Sequence, residues 1–333
     1  MDHETDSAIP AAHPYARLDP DRILNAVEQC GYLCDGRLLA LNSYENRVYQ
    51  VGIEDGTPLI VKFYRPGRWS DQAILEEHSF AHELLEAEVP VVEPLADHRG
   101  ATLHSFQGFR FALFPRQGGR APALDDAAHL EQLGRYLARL HNVGAVRPFH
   151  HRPALTIEHF ASASGEYLLT HDFIPHELVP AYRAIFEALV QAVTAIFAAV
   201  PATSLRLHGD LHPGNVLWRD GPHLVDLDDS CTGPAIQDLW MLLSGDRDYM
   251  QARLLDLISG YEEFRDFDAR ELYLVEALRT LRMLHYAAWL ARRWDDPAFP
   301  QAFPWFNSPR YWEEHILTLR EQRARLDEPP LVL

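Results

Sequence analysis

Residues 207–217 read LHGDLHPGNVL and place Asp210, Asn215 and two histidines in one loop that is interrupted by Gly and Pro. A strand-like run, VLW, follows this loop, and after the turn RDGP a second run, HLV, leads into Asp226. A hairpin of this kind is predicted to return Asp226 beside Asp210 and Asn215. Three oxygen-bearing side chains at one place suit a hard divalent cation together with a general base, as phosphoryl transfer requires.

The spacing of the loop matches the catalytic loop of protein kinases, which reads H-R-D-x-x-x-x-N and is followed by a magnesium-binding Asp. The residues at the corresponding offsets are His208, Asp210, Asn215 and Asp226. Gly209 replaces the Arg, and this H-G-D form resembles the aminoglycoside/choline kinase-like superfamily, in which Asp238 fits a further acidic position. Since that Arg reads a phosphorylated activation loop, and little sequence separates Asp226 from Asp238, we expect the active geometry to be largely preformed.

Upstream, the run LIVK has the form of the kinase strand that ends in a phosphate-binding lysine, here Lys62. A helical pattern over 72–86 follows and carries Glu76 and Glu77. Lys62 is predicted to pair with Glu77, because counting back from the VP pair after the helix aligns Glu77 with the usual helix glutamate. Glu76 remains open as the alternative.

The nucleotide-binding elements are predicted on either side of this strand. Residues 42–49, NSYENRVY, stand where protein kinases have a Gly-rich loop, and the aminoglycoside kinase-like group often uses Ser and Asn there. Ser43 and Asn46 are therefore expected to contact the phosphates. The run FALFP, which ends in Phe114 and Pro115, is expected to form the strand and hinge that hold adenine by backbone groups.

Several longer segments, ALNSYENRVYQV, VKFYRPGRW, ILEEHSFA, GRYLARLH and VDLDD with the later QDLWMLL, together resemble the bacterial stress response kinase A family. The resemblance runs from about Leu38 to about Leu243 and is weaker beyond. It implies a cytoplasmic Ser/Thr protein kinase of bilobal, kinase-like fold. In that family the Ser of the phosphate loop has been considered a phosphorylation site, and Ser43 is the matching position.

The kinase pattern assigns a role to each candidate residue. Asp210 is predicted to accept the proton of the substrate hydroxyl, and Asn215 and Asp226 to hold Mg²⁺ against the triphosphate of ATP. Lys62 is predicted to clamp the α and β phosphates. His208 is grouped with these catalytic residues as a hydrogen-bonder that orients the loop.

We expect an α+β, bilobal, protein-kinase-like fold with three segments. Residues 1–20, with three prolines, are predicted to be a flexible arm; residues 21–115 a nucleotide-binding lobe with a small antiparallel sheet; and residues 116–333 a mainly helical catalytic and substrate lobe. The uncharged stretch Ala188–Leu205 is Ala-rich and is broken by Pro201, so we interpret it as a buried core helix rather than a membrane span.

Composition and charge restrict the partners. The chain has 333 residues, 47% of them hydrophobic, which suffices for a large globular core. Its 48 acidic and 30 basic residues give a net charge of −18, which argues against nucleic acid or an anionic membrane as the main partner. Three cysteines without CxxC spacing are interpreted as reduced thiols. With no targeting segment visible, we expect a cytoplasmic protein, and we expect it to be a monomer.

The acceptor and two other classes of protein stay open at this point. The acceptor is predicted to be a protein Ser/Thr, with an amino alcohol or aminoglycoside hydroxyl as the alternative, because the phosphate machinery does not read the acceptor. The alternation of His208, Asp210 and His212 also allows a metallophosphohydrolase. A pseudokinase would keep the fold without the chemistry, but no catalytic residue of the pattern is missing.

Overall fold

The computed structural model describes residues 13–243 and 245–333. A five-stranded antiparallel sheet forms most of the N-terminal part, and helices form most of the remainder. This is the α+β, bilobal arrangement that the sequence predicts.

The N-terminal lobe is built on a sheet of order β1-β2-β3-β5-β4. Its strands are β1 Cys34–Ala40, β2 Arg47–Ile53, β3 Leu59–Phe63, β4 His104–Phe106 and β5 Phe109–Pro115. Two helices accompany it, α1 Pro20–Gln29 and α2 Asp71–Glu86. The β-branched and aromatic residues of β2, β3 and β5 bury one face of the sheet, which leaves Lys62 in register with Ala112 at the centre of the lobe.

One boundary in this lobe differs from the sequence prediction. Residues 1–12 lie outside the described part, but the predicted arm does not extend to residue 20, because Tyr15 is 7% exposed and packs into the core of the sheet. Its hydroxyl donates to Phe63 O at 3.1 Å. Strand β4 begins at His104, two residues after Thr102. Thr102 Oγ1 is hydrogen-bonded to His78 Nδ1 at 2.8 Å.

The second lobe is mainly helical. Its helices are α3 Ala127–Gly144, α4 Ala163–Thr170, α5 Val179–Ala199, α6 Gln237–Trp240, α7 Arg247–Tyr261, α8 Val275–Ala291, α9 Ala298–Ala302 and α10 Pro309–Arg325. Helices α3 and α7 cross at glycines: a Cβ on Gly134 would lie 2.1 Å from Leu257 O, and one on Gly260 would lie 1.9 Å from Glu131 O. Their backbones therefore approach more closely than any larger residue would allow.

Helix α5 covers most of the uncharged stretch that the sequence predicts to be a core helix. By length and composition α5 could cross a membrane, since its mean hydropathy is 1.3. Of its most apolar stretch, 17% is buried in the structure. The apolar side of α5 contributes Tyr182, Leu189 and Val193 to the core that it shares with α8 and α10. Its exposed side combines small Ala residues with the polar side chains of Arg183, Glu187, Gln191 and Thr194, so α5 is amphipathic in its packing although few of its residues are charged.

Two short antiparallel strand pairs position the loop at 208–215. Strand β6 Leu205–Leu207 pairs with β9 Cys231–Gly233, and β7 Val216–Trp218 pairs with β8 Pro222–Leu224. The loop thus begins at the end of β6 and ends at the start of β7, while Asp226 follows β8. This arrangement brings the two acidic ends of the motif to the same edge of the lobe.

Replacing Gly134 by Ala should destabilise the protein, because the new Cβ would overlap the backbone of α7 and force the two helices apart. We expect a loss of about 1–3 kcal/mol in the free energy of unfolding, measured by urea denaturation. Gly118→Ala is the control, since a Cβ there meets only the flexible end of Arg219 at 3.4 Å. Equal stability of the two variants would contradict the close crossing.

Candidate active site

The loop that carries Asp210 is held in place through its backbone N–H groups by one buried carboxylate. Asp238 is fully buried, and its two oxygens accept the backbone N–H groups of His208 and Gly209, both at 2.8 Å. His141 Nε2 lies 3.4 Å from the same carboxylate, and Tyr261 supports His141 through a 2.8 Å hydrogen bond. Asp238 therefore fixes the loop through its backbone, which confirms neither a catalytic nor a metal role for Asp238 itself.

Gly209 explains why this loop has no arginine at the kinase position. Its φ is +87°, and a Cβ there would lie 2.2 Å from Asp229 O. Both the left-handed backbone and the contact with Asp229 exclude a larger side chain without a shift of the loop. The substitution that the sequence shows is thus required by the geometry of the turn.

His208 is buried beneath this turn rather than exposed in the cleft. Its side chain has no exposed surface, and Nε2–H donates to Val225 O at 2.9 Å. This bond ties the start of the loop to the residue before Asp226. His208 can position the two acids, but it does not face a substrate.

Asp210 sits at the mouth of the cleft between charged neighbours. Arg282 on α8 forms an ion pair with Asp210 Oδ1, and His212 Nε2 lies 3.6 Å from Oδ2. Burial raises the pKa of Asp210, but Arg282 and His212 lower it by more. The pKa of Asp210 therefore lies below its usual value. Asp210 is therefore ionised at neutral pH and can accept a proton.

The hairpin β7–β8 brings Asn215 and Asp226 to the same place, as the spacing predicts. Asn215 Nδ2 donates to Asp210 O at 2.9 Å, and Asn215 O accepts from Val225 N at 3.0 Å. Asp226 has a left-handed backbone, φ +61°, which is uncommon for a residue other than Gly. Its side chain is 52% exposed and available to a ligand.

Lys62 meets its partner on α2 and the acidic edge of the other lobe at once. Its Nζ lies 3.7 Å from Glu77 Oε1, 3.0 Å from Asp226 Oδ1 and 3.1 Å from Asp228 Oδ1. Burial lowers the pKa of Lys62, but the three carboxylates raise it well above its usual value. Glu76 points elsewhere and accepts the backbone N–H of residues 150–152, so the structure pairs Lys62 with Glu77.

Asp228 is the main site residue that the sequence analysis missed. It is 2% exposed and lies among groups from both lobes. They are Lys62, Arg68, the amide nitrogen of Asn46 at 3.1 Å and, through the Asp228 carbonyl, Arg152. Although burial raises the pKa of Asp228, the surrounding cations leave it well below its usual value. The signal was present in the run VDLDD, which has an acid at the second position after Asp226.

The loop between β1 and β2 is fastened to the helical lobe. Glu45 Oε2 accepts from Trp289 Nε1 and pairs with Arg293 Nε, both at 2.6 Å, while Glu45 Oε1 pairs with Arg65 at 3.0 Å. Tyr44 packs on Phe303 with ring centres 4.8 Å apart. The predicted phosphate loop is thus attached to the helical lobe by contacts that no local sequence pattern predicts.

A second buried acid reinforces this attachment. Asp296, 1% exposed, pairs with Arg47 at 2.8 Å and with Arg65 at 2.8 Å. The two arginines flank the loop on β2 and just after β3. Asp296 therefore joins the helical lobe to both sides of the hairpin.

The other predicted nucleotide contacts lie in the loop between β1 and β2 and at the end of β5. Ser43 is half-buried, and the described residues include no hydrogen-bond partner for its hydroxyl. Asn46 is buried and bonded through both amide atoms, since Arg65 N donates to its Oδ1 at 3.0 Å. Phe114 and Pro115 end β5 opposite Ile60 and Leu59. Ser43 is open to a ligand, whereas Asn46 serves first to hold the loop against Asp228.

The three cysteines carry no disulfide: Cys30 and Cys34 are half-buried and Cys231 is buried, all as free thiols. Burial raises the pKa of Cys34 to about 11 and that of Cys231 further. They are therefore weak nucleophiles, and none is a candidate for covalent chemistry.

Comparison with known proteins shows the family of the chain. The family described as "Phosphotransferase enzyme family" matches residues 37–274. Stress response kinase A of Escherichia coli strain K12 is 47% identical over 323 residues, which cover 97% of this chain and 98% of that protein. The serine/threonine protein kinase RdoA of Salmonella typhimurium is 47% identical over 322 residues, with the same coverage of 97% and 98%.

Solved structures show the same fold at low identity. An amicoumacin kinase in complex with AMP-PNP, Ca²⁺ and Ami matches with a TM-score of 0.74 and 18% identity, over 95% of this chain and 96% of that one. A microcompartment-associated aminopropanol kinase matches with a TM-score of 0.70 and 18% identity, over 92% and 96%. At this identity the likeness concerns the fold alone.

Asp296→Ala should destabilise the protein, because the guanidinium groups of Arg47 and Arg65, which are 17% and 10% exposed, would lose their shared buried carboxylate. We expect a loss of about 3–5 kcal/mol in the free energy of unfolding, measured by urea denaturation. Asp295→Ala is the matched control, since Asp295 is the adjacent acid and its side chain is exposed. A loss that does not differ between the two variants would show that Asp296 does not join the lobes.

Proposed function

The chain belongs to the phosphotransferase enzyme family, within its stress response kinase A group, and is a kinase; from this premise we propose that it transfers the γ-phosphate of ATP, with Mg²⁺, to a Ser or Thr hydroxyl of a protein. The observation that carries the proposal is the convergence of Lys62 and Glu77 of the first lobe with Asp226 of the second, next to the loop that holds an ionised Asp210. These are the parts that phosphoryl transfer needs for charge neutralisation and for alignment of the acceptor.

The residues present fit a magnesium ion that shares its coordination with phosphates and water. Asp226 offers a half-exposed carboxylate. Asn215 offers its side-chain oxygen, Oδ1, because its side-chain nitrogen, Nδ2, donates to Asp210 O. Across residues 13–243 and 245–333, no group of three His, Cys, Asp or Glu side chains could hold a metal alone. Such a partial ligand set is typical of Mg²⁺ at nucleotide sites. The ion, when bound, would neutralise phosphate charge.

Asp210 would act on the acceptor side. Its lowered pKa keeps it ionised, so one of its oxygens can accept the hydroxyl proton as the oxygen–phosphorus bond forms. Asp238 and His208 keep this carboxylate in place through the backbone of the loop. Lys62 would hold the α and β phosphates from the opposite lobe.

A protein acceptor is favoured by the relatives that share about half of the sequence, one of which is named as a serine/threonine protein kinase. The aminopropanol and amicoumacin kinases support only the fold, since their identity is 18%. A small hydroxyl acceptor is the second candidate. The cytoplasmic location and the monomeric state remain predictions from the sequence.

The first test measures phosphoryl transfer with labelled ATP and Mg²⁺, using casein-like proteins and a panel of amino alcohols as acceptors. Asp210→Asn should lower kcat by ~10²–10⁴ while ATP affinity changes only a few-fold, because only the base is lost. Asp210 is a sharper target than Lys62, whose removal would leave three carboxylates without their shared cation.

Two results would contradict this assignment. Full activity of Asp210→Asn would exclude a base at this position. Release of phosphate from simple phosphoesters without ATP, abolished in His212→Ala, would instead support a metallophosphohydrolase.

A second prediction concerns Ser43, whose half-buried side chain has no hydrogen-bond partner within the described residues. Phosphorylation would add about −1.5 to −2 charges beside the triphosphate, so we expect it to weaken ATP binding. Ser43→Asp should therefore raise the Kd for ATP, while Ser43→Ala should leave binding close to that of the parent. Mass spectrometry after incubation with ATP and Mg²⁺ would detect the modification. No phosphate on Ser43, together with unchanged binding by Ser43→Asp, would reject this regulation.

A further inference from the structure

We infer that Arg282 determines the acceptor specificity of this enzyme, and that it selects a hydroxyl flanked by acidic groups, as in an acidic Ser/Thr peptide. The inference rests on the proposed phosphoryl transfer and specifies its substrate class. It follows from the face that α8 turns toward Asp210, from the charge that this face carries, and from the way the neighbouring arginines are used.

One side of α8 runs along the cleft from Asp210 to the hairpin loop. Its residues at helical spacing are Arg282, Tyr286 and Trp289, and Arg293 follows two residues after the helix ends at Ala291. Arg282 pairs with Asp210 at one end, and Trp289 and Arg293 bind Glu45 at the other. Tyr286 lies between them, 41% exposed and stacked on Trp289 with ring centres 5.7 Å apart. An acceptor that reaches Asp210 along this face therefore passes over Arg282 and Tyr286.

Arg282 is the cation on this side that keeps donors for a ligand. Its side chain is 46% exposed, and within the described residues its hydrogen bonds reach Asp210 alone, through Nη1. The other guanidinium N–H groups remain available, and their planar arrangement matches a carboxylate. The nearby arginines are not comparable, since Arg65, Arg68 and Arg293 have side chains no more than 15% exposed and are paired with acids.

The position of this charge disfavours the cationic acceptors. A protonated amine next to the reacting hydroxyl could otherwise pair with Asp210, but Arg282 already occupies Oδ1 and offsets the charge of the carboxylate. A carboxylate at the same place would gain an ion pair with Arg282. Discrimination thus combines attraction for one class with repulsion of the other.

The test uses three Ser peptides of equal length in which the flanking residues are Glu, Gln or Lys, with ethanolamine as a small cationic acceptor. We measure kcat/KM for the parent, Arg282→Gln and Arg282→Glu, with Arg310→Gln as the control because Arg310 is 85% exposed on α10 and pairs only with Glu314 in the described structure. The parent and the control should prefer the Glu peptide over the Lys peptide by at least about tenfold. Arg282→Gln should reduce that ratio toward one, and Arg282→Glu should reverse it.

A purely positioning role would give a different pattern. Loss of the Arg282 cation would raise the pKa of Asp210 and move the acid limb of the pH–rate profile to higher pH, because the base would be protonated over a wider range. If that shift occurred while all three peptides lost activity by one factor, Arg282 would only position Asp210 and the inference would be wrong. A parent preference for the Lys peptide or for ethanolamine would also overturn it. No transfer by the parent to any acceptor would contradict the proposed function itself.

Discussion

The buried carboxylate of Asp228 is the contact on which the arrangement of the two lobes depends. It receives Lys62 from β3, Arg68 from the segment before α2 and Asn46 from the hairpin loop. An unpaired buried carboxylate would cost several kcal/mol, whereas one surrounded by cations and an amide donor is compensated. The cations of the first lobe therefore have their counterpart in the second, and the cleft between the lobes is defined by this pairing.

The same cluster can exchange ion-pair partners without leaving a buried charge unpaired. Lys62 contacts three carboxylates, of which Asp226 is the exposed one and Asp228 and Glu77 are buried. If Asp226 turned to a metal ion, Lys62 would keep two acidic neighbours within reach and still face the phosphates. The cost of rearranging the site on nucleotide binding is thereby kept small, because only the half-exposed pair has to separate.

The sequence could predict the parts of this site that lie in short, ordered patterns. The spacing of His208, Asp210 and Asn215 and the strand-borne Lys62 give those positions, because one loop or strand imposes each pattern. It could not predict the pairing of Arg282 with Asp210 or of Glu45 with Arg293, whose partners are 72 and 248 residues away along the chain. The burial of Tyr15 was missed for the same reason: the prolines of residues 1–20 suggest a loose segment, whereas the burial of Tyr15 depends on β3.

The net charge of −18 also acquires a different meaning once the contacts are known. The acids that matter at the cleft are matched by arginines: Asp228 by Arg68, Glu45 by Arg293 and Asp296 by Arg47. Much of the remaining acidic excess lies on exposed surface, where screening limits its effect to distances near 10 Å. Local charge, rather than the total, therefore governs what approaches Asp210, and a chain that is acidic overall can present a cation to its acceptor.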